Sequence, residues 1–212
     1  MNNKLKMLKK GRPKTLNLDE LIDVAMITYW SEGPANVSIN QICNKAKISK
    51  PGLYRELGGE DGLMESVLIA YQKKITIPIL EIFKLDKKFD DTLDTIISFI
   101  TDTVNNQNKP KGCLLAKLRQ SQNKFGPKTQ RQINLIKKQV LVSYETWIEQ
   151  SKLKNEFPSS ISSQFAANYL DAQLNNALSQ IANGEERSKV KEILKFSLSV
   201  IRKQKKKGNI LT

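Results

Sequence analysis

The sequence predicts an all-α protein: an N-terminal three-helix head with a helix-turn-helix, followed by a larger helical domain. Apolar residues recur at three- and four-residue spacing, and no convincing strand alternation interrupts them. Capping residues and Gly-Pro steps separate these apolar stripes at helix-like intervals. Residues 38–57 hold two short helices whose link is too short for antiparallel packing, which is typical of a helix-turn-helix. We divide the chain into an arm (1–15), a helix-turn-helix head (16–76) and a larger helical domain (77–212).

The composition favours a polyanionic partner. The 212 residues carry a net charge of +14, with 39% hydrophobic and 26% charged residues. A basic excess of this size suits nucleic acid, although solvation alone also explains many surface lysines. Residues after position 75 keep 23 basic and 13 acidic side chains, which hints at an anionic effector or simply a solvated surface.

The absence of histidine excludes several classes of site. It removes Ser-His-Asp and Cys-His catalysis and every histidine-bearing metal site. Cys43 and Cys113 cannot complete a structural zinc site alone, and no Gly-rich phosphate loop is present. We therefore expect no enzyme, no metal and no cofactor. Two cysteines, no apolar window long enough for a membrane span and no apolar leader segment predict a cytoplasmic protein without membrane contact.

The N-terminal arm is uniformly basic. Gly11 and Pro13 interrupt helix formation, so the arm can lie along phosphates or in a minor groove, or else act as a solubilising tail. Arg12 and Lys14 lie nearest the head, and we assign them to DNA. The six positive charges are Lys4, Lys6, Lys9, Lys10, Arg12 and Lys14.

Helix one is predicted to begin at Asn17 or Asp19 and to end at Gly33-Pro34. Trp30 is interpreted as a packing residue. The apolar stripe of helix one consists of Leu18, Leu21, Ile22, Ala25 and Tyr29.

Capping residues, a short link and a proline predict the helix-turn-helix. Ser38 caps a helix, Lys47-Ile48 form the link, and Ser49 caps a second helix with Pro51 in its first turn. A steep crossing presents the second helix to a DNA major groove. Lys50 and Arg55 suit guanine edges or phosphates, and the Tyr54 hydroxyl suits a phosphate. The candidate DNA-binding residues in this unit are Ser38, Ser49, Lys50, Pro51, Gly52, Tyr54 and Arg55.

This region resembles the DNA-binding domain of the TetR family of bacterial repressors over residues 12–75. Two departures stand out: Lys47 occupies a turn position where relatives usually carry Gly, and Glu60 lies where they often carry Lys. The resemblance rests on Ile42, Ala46, Ile48-Ser49-Lys50, Gly52, Leu53-Tyr54, Leu57 and Leu63. It implies a dimeric repressor with a ligand-binding body.

Helix four carries Leu63, Val67 and Tyr71 and is expected to end or kink at Pro78. The resemblance implies that it connects head and body. Later helices are predicted to begin at Asp90 or Asp91, at Gly112, at Gly126-Pro127, at Pro158 and at Glu185. Small residues in the last two helices favour a four-helix interface between two subunits, although an intramolecular bundle is the alternative.

Two further sets of residues complete the predicted sites. The dimer interface is assigned to Leu170, Leu174, Leu178, Ile193 and Val200. A small-molecule cavity between the central helices is assigned to Phe99, Cys113, Leu114, Leu118, Tyr144 and Trp147, each of which also suits plain core.

The sequence therefore predicts a homodimeric, ligand-responsive regulator that binds a palindromic site in double-stranded DNA. The small-molecule effector remains unidentified. The alternative is a dimeric helical interaction module whose head contacts a protein or nonspecific DNA.

Overall fold

The computed structural model describes residues 17–102 and 110–202, and this part of the chain is helical without a strand. The predicted all-α fold is confirmed. The helices are α1 (Leu18–Glu32), α2 (Ile39–Lys45), α3 (Lys50–Leu57), α4 (Glu60–Tyr71), α5 (Ile77–Leu80), α6 (Phe89–Thr101), α7 (Leu114–Gln120), α8 (Pro127–Leu153), α9 (Ser163–Ala182) and α10 (Arg187–Leu198).

The head forms because local caps and one apolar face agree. The Asn17 side chain accepts the Glu20 N–H at 3.2 Å and starts α1. Ser38 and Gln41 form a capping box at the start of α2. Leu21 and Ile42 are buried where α1 packs against α2, and Leu53 completes this core from α3.

The turn between α2 and α3 places Lys47 in the left-handed region, with φ of 54°. The Ile48 N–H donates to the Cys43 carbonyl at 3.0 Å, and the Lys47 N–H donates to the Asn44 carbonyl at 3.2 Å. This pair of bonds is a Schellman motif, whose left-handed position normally favours Gly. The less favourable conformation predicted for Lys47 is therefore present.

Helix four does not end at Pro78, which was one of the two outcomes expected there. The backbone stays helical from α4 through α5 to Lys84, and Pro78 lies inside this segment. A π-helical turn at Gln72–Thr76 precedes the proline, and the Ile77 N–H bonds to the Gln72 carbonyl. A wider turn changes the hydrogen-bond register just where Pro78 cannot donate, so the chain tolerates the proline without ending the helical segment.

Three helix starts in the body differ from the sequence prediction. Asp90 and Asp91 lie in the first turn of α6 rather than at its cap, because Phe89 already begins the helix. The cap of α9 is Ser162 rather than the Pro158 region, and α10 starts at Arg187. Several polar residues that can cap a helix precede these starts, so the sequence alone did not locate them.

The body is built around α8, which packs against α4 on one side and α9 on another, while α10 packs on α9 and α6. Aromatic rings fill the end farthest from the head. Phe89 stacks on Trp147 with ring centroids 4.5 Å apart, and Phe83 meets Tyr144 at 4.9 Å. No helix among residues 17–102 and 110–202 combines the length and apolarity needed to cross a membrane.

Candidate nucleic-acid interface and effector cavity

The predicted DNA-binding residues of α3 share its exposed face. Lys50, Pro51 and Tyr54 are exposed, while Leu53 on the opposite side is fully buried. The Ser49 hydroxyl accepts the Gly52 N–H at 3.2 Å, which caps the helix. Lys50 and Tyr54 lie four residues apart on one face of α3, and the Ser49 hydroxyl lies at the start of that helix. The polar groups of these three residues therefore form a continuous surface.

Tyr54 is exposed yet held in place. It is 46% exposed, and the Lys50 ammonium lies 5.9 Å from its ring centroid. Its ring packs against Gly59, where a Cβ would lie 3.1 Å from Cε1. Gly59 also has φ of 116°, so both its conformation and its missing side chain suit this contact.

The remaining candidate DNA-binding residues differ in whether their side chains already have hydrogen-bond or ion-pair partners. Arg55 is exposed and pairs through Nε with Glu56 at 2.9 Å, a contact that a phosphate could replace. Ser38 uses its hydroxyl within the α2 capping box, although the residue itself is exposed. Arg12 and Lys14, with the whole predicted arm, lie outside the described residues.

A cavity of about 180 Å³ lies between the head and the central body helices. Three of the six predicted ligand residues line it: Phe99, Cys113 and Tyr144. Most of its other walls are apolar, and the helical segment that continues α4 contributes Ile75, Ile79, Leu80 and Phe83. The helical segment that begins beside the predicted DNA-binding face thus also forms a wall of the cavity.

The other three predicted ligand residues lie elsewhere. Leu114 and Leu118 are fully buried in the core, because their sides of α7 point away from the opening. Trp147 lines a separate, open groove of about 470 Å³ between residues 77–87 and α8. Apolar spacing alone does not separate cavity walls from plain core.

A buried ion pair forms the polar part of the cavity. Arg119 donates to both carboxylate oxygens of Asp171, at 3.1 and 2.7 Å, and the Asn175 amide also bonds to Asp171. All three residues line the cavity. Sequence reasoning missed this pair because its members are far apart in the chain and belong to no local motif.

Two phenols complete the polar lining. The Tyr71 hydroxyl donates to the Cys113 sulfur at 3.3 Å. Burial, with contributions from Cys113, raises the pKa of Tyr71 well above its ordinary value. Burial also raises the pKa of Tyr144, and the nearby Asp171 carboxylate adds to this effect. Both phenols are therefore neutral hydrogen-bonding groups at physiological pH.

Trp30 links the head to this cavity. Its indole N–H donates to the Gly112 carbonyl at 3.1 Å, and its ring meets Tyr71 edge-on with centroids 5.1 Å apart. The Lys117 ammonium bonds back to the Trp30 carbonyl at 2.5 Å. Trp30 is thus a packing residue, as predicted, but it also lines the cavity.

The predicted dimer residues separate into two groups. Leu170 and Leu174 are buried in the chain's own core, and Leu178 is half-buried at the cavity, so these three point inward. Ile193 and Val200 are exposed. Assigning the leucines to a partner-facing surface was therefore wrong, since one helix cannot present the same side to its core and to a partner.

Sequence reasoning missed two exposed aromatic residues on the last two helices. Phe196 is 82% exposed and Phe165 is 65% exposed. Phe196 falls at helical spacing between Ile193 and Val200, so the three form one apolar stripe. The signal was present in the sequence as a second stripe on α10, beside the buried stripe of Val190, Leu194 and Leu198.

Comparison with known proteins gives one curated relative and many solved structures of similar fold. No protein-family model matches the chain. The HTH-type transcriptional repressor ComR of Escherichia coli (strain K12) is 25% identical over 107 residues, which are 50% of this chain and 51% of the repressor. The chain thus spans about half the length of the curated relative it matches.

The solved structures match over most of the chain. A TetR-family regulator from Agrobacterium tumefaciens superposes with a TM-score of 0.75 at 13% identity, over 88% of this chain and 97% of that one. The reduced form of NemR from E. coli gives 0.72 at 14% identity, over 87% and 96%. A cysteine mutant of the TetR-family regulator CifR, complexed with 26-bp operator DNA, gives 0.74 at 13% identity, over 90% and 100%.

Proposed function

We propose, from the premise that this chain has the fold of the TetR-family transcriptional regulators, that it is a ligand-responsive repressor binding a palindromic operator as a homodimer. The observation that carries the proposal is the exposed face of α3. There Lys50, Tyr54 and Arg55 lie at the surface beside a capped helix start. Operator DNA bound to CifR and the repressor role of ComR support the same function. Because bacterial DNA lies in the cytoplasm, this function implies that compartment.

A second copy of the chain is the proposed occupant of the α9–α10 surface. Ile193, Phe196 and Val200 form an exposed apolar stripe, which a monomer would leave in water. Two-fold symmetry would place two α3 helices against two half-sites of a palindrome. The proposed domain boundary near residue 76 leaves this surface entirely in the larger domain.

The proposed effector is a mostly apolar, uncharged small molecule. Arg119 and Arg187 both line the cavity, but Arg119 is neutralised by Asp171 and Arg187 donates to the Ile100 carbonyl at 3.2 Å. Asp102 also lines the cavity, so two carboxylates balance the two guanidinium groups, and the basic excess of the body does not carry over to the cavity. Aromatic and aliphatic walls with neutral phenols favour an uncharged ligand.

The effector would act through the segment that joins both sites. Tyr71 and Ile75 line the cavity, while the same helical segment begins at Glu60 beside the DNA-binding face. A ligand that fits the cavity better when this segment has moved would favour a head spacing that no longer matches the operator. The shift equals the difference in its affinity for the two states.

Operator binding is tested by fluorescence anisotropy with DNA from upstream of the protein's own gene. Tyr54→Phe should bind about a hundredfold more weakly, because the dimer loses two charge-assisted hydrogen bonds of about 1.5 kcal/mol each. Tyr169→Phe is the matched control, since its hydroxyl bonds to the Ser197 carbonyl in the body. Equal affinity of Tyr54→Phe and the parent would remove the phosphate role. A folded parent dimer that binds no such fragment specifically would favour the interaction-module alternative.

The cavity is tested with the uncharged fluorophore N-phenyl-1-naphthylamine. Val140 lines the cavity, so Val140→Phe should abolish the fluorescence increase by filling the space. Val142 lies on the exposed side of the same helix, and Val142→Phe is the control. Equal probe binding by Val140→Phe, with its stability preserved, would contradict ligand entry at this cavity.

A further inference from the structure

Three basic side chains lie at the start of α8 or in the turn just before it. Lys124, Lys128 and Arg131 are exposed, and no ion pair with them occurs within residues 17–102 and 110–202. Lys128 and Arg131 are three residues apart and therefore neighbours on the surface of α8. We name these three residues the α8 basic cluster.

The cluster lies beside the start of α4, although it belongs to the larger domain. The Lys128 N–H donates to Asp61 Oδ2, and the Thr129 N–H donates to Asp61 Oδ1, both at 3.0 Å. A Cβ on Gly126 would lie 2.3 Å from the Asp61 carboxyl carbon, so only glycine permits this approach. Two hydrogen bonds therefore join the first turn of α8 directly to Asp61, the second residue of α4.

A short path joins this contact to the DNA-binding face. The Tyr54 ring of α3 packs on Gly59, and Gly59 is separated from Asp61 only by Glu60. Lys128 therefore lies one contact away from the residues that follow the proposed recognition helix. A DNA backbone seated on α3 and passing the start of α4 would meet the α8 basic cluster next.

The first turn of α4 carries acidic rather than basic side chains. Glu60 is exposed there, and Asp61 directs its carboxylate to the amides of α8. An exposed carboxylate repels phosphate, so the first turn of α4 offers no cation of its own. Outside the head, Lys128 lies next to this turn, because its own N–H bonds to Asp61.

We infer that Lys128 and Arg131 bind DNA phosphates flanking each half-site, so that the larger domain itself contacts the operator backbone. This inference rests on the proposed DNA-binding function. It adds a contact that the head alone does not supply. It also couples the two sites more directly, because α8 carries both these cations and the cavity residues Val140 and Tyr144.

The test is the salt dependence of operator affinity for the full chain. Each phosphate contact contributes about 0.9 to the slope of log affinity against log salt concentration. Lys128→Ala removes two contacts from a dimer, so the slope should fall by about two units, and affinity at low salt by about tenfold. Lys128→Ala with Arg131→Ala should lower the slope by about four units. Hydroxyl-radical footprinting should lose protection at the flanking phosphates and keep it at the half-sites.

Lys88→Ala is the matched control for net charge. Lys88 is exposed at the start of α6, and its neighbour Phe89 donates to Glu156, just beyond the far end of the 27-residue α8. At about 1.5 Å per residue, that end lies roughly 40 Å from Lys128. Lys88→Ala should leave both slope and footprint unchanged.

Adding Glu60→Lys to Lys128→Ala should restore the slope, because it returns a cation to the same place. An unchanged slope in Lys128→Ala, or an equal loss in Lys88→Ala, overturns the inference while specific operator binding stands. A parent protein without specific binding to any fragment overturns the proposed function as well, and the two failures are thereby distinguished.

Discussion

Asp61 of α4 caps α8 through Thr129, joining the start of the head's last helix to the longest helix of the body. The Asp61 carboxylate accepts the Thr129 hydroxyl at 2.7 Å and the Thr129 N–H at 3.0 Å. The N-cap residue of α8 is Gly126, which has no side chain to do this. A helix N-terminus leaves its first amides unpaired, and here a residue 67 positions earlier satisfies them.

Removing this cap should destabilise the protein. Asp61→Ala is expected to lower the free energy of unfolding by about 1–3 kcal/mol, since it leaves two α8 amides without their acceptor and the Thr129 hydroxyl with only the residue-61 carbonyl, at 3.3 Å. Urea titration followed by circular dichroism measures the change. Asp91→Ala is the control, because Asp91 also lies in the first turn of a helix but is exposed. Equal losses in the two variants would contradict a specific cap.

The same carboxylate predicts a pH dependence. Burial raises the pKa of Asp61, but hydrogen bonds from Thr129 and Lys128 outweigh it and hold the pKa below its usual value. A depressed pKa stabilises the fold above the unfolded value of about 4 and loses this effect as pH falls through the folded value. The stability difference between parent and Asp61→Asn should therefore be constant near neutral pH and shrink below about pH 4. A difference that grows on acidification would contradict this assignment.

Lys47→Gly should stabilise the head. Lys47 has φ of 54°, a conformation that is strained for residues with a side chain and free of strain for glycine. The expected gain is about 1 kcal/mol, reduced by the greater entropy of glycine in the unfolded chain. Lys47→Ala distinguishes the effect of backbone strain from the effect of the side-chain charge, because it removes the same charge while the residue keeps its strained φ. A gain in Lys47→Ala as large as in Lys47→Gly would point to charge rather than strain.

Phe196→Glu should yield a folded monomer. Phe196 is 82% exposed, so a carboxylate there is solvated in the single chain but buried without a partner in the proposed dimer. Sedimentation velocity at micromolar concentration reports the state. Leu170→Ala is the contrasting variant, because Leu170 is fully buried: it should cost about 2–5 kcal/mol of stability yet remain dimeric while folded. A dimeric Phe196→Glu variant would place the interface elsewhere.

Thiol labelling should distinguish the two cysteines. Cys113 lines the cavity, whereas Cys43 is buried in the head, where burial raises the pKa of its thiol. With Ellman's reagent, the Cys43→Ser variant should react slowly, and the Cys113→Ser variant only on unfolding. Saturation with N-phenyl-1-naphthylamine should slow the reaction of Cys113. Labelling of Cys43 at the same rate would contradict this arrangement.

Local chemistry explains why the head could be predicted from sequence. Ser38 and Ser49 cap the helices that follow them, and Pro51 falls in the first turn of α3. The strained φ at Lys47 was expected for the same reason, because a helix end of this type needs a left-handed residue. Such features involve groups within a few residues of one another, so their geometry depends little on the rest of the chain.

The tertiary structure alone decided which apolar side faces inward. Helices α9 and α10 carry apolar residues on two sides, and spacing could not tell that Leu174 faces the core while Phe196 faces out. Nor could it pair Arg119 with Asp171, or Asp61 with the start of α8. These contacts join residues more than fifty positions apart. The packing of whole helices decides these partners. The sequence therefore determined the helices and the caps of the head, whereas packing determined the cavity, the exposed stripe and the link between head and body.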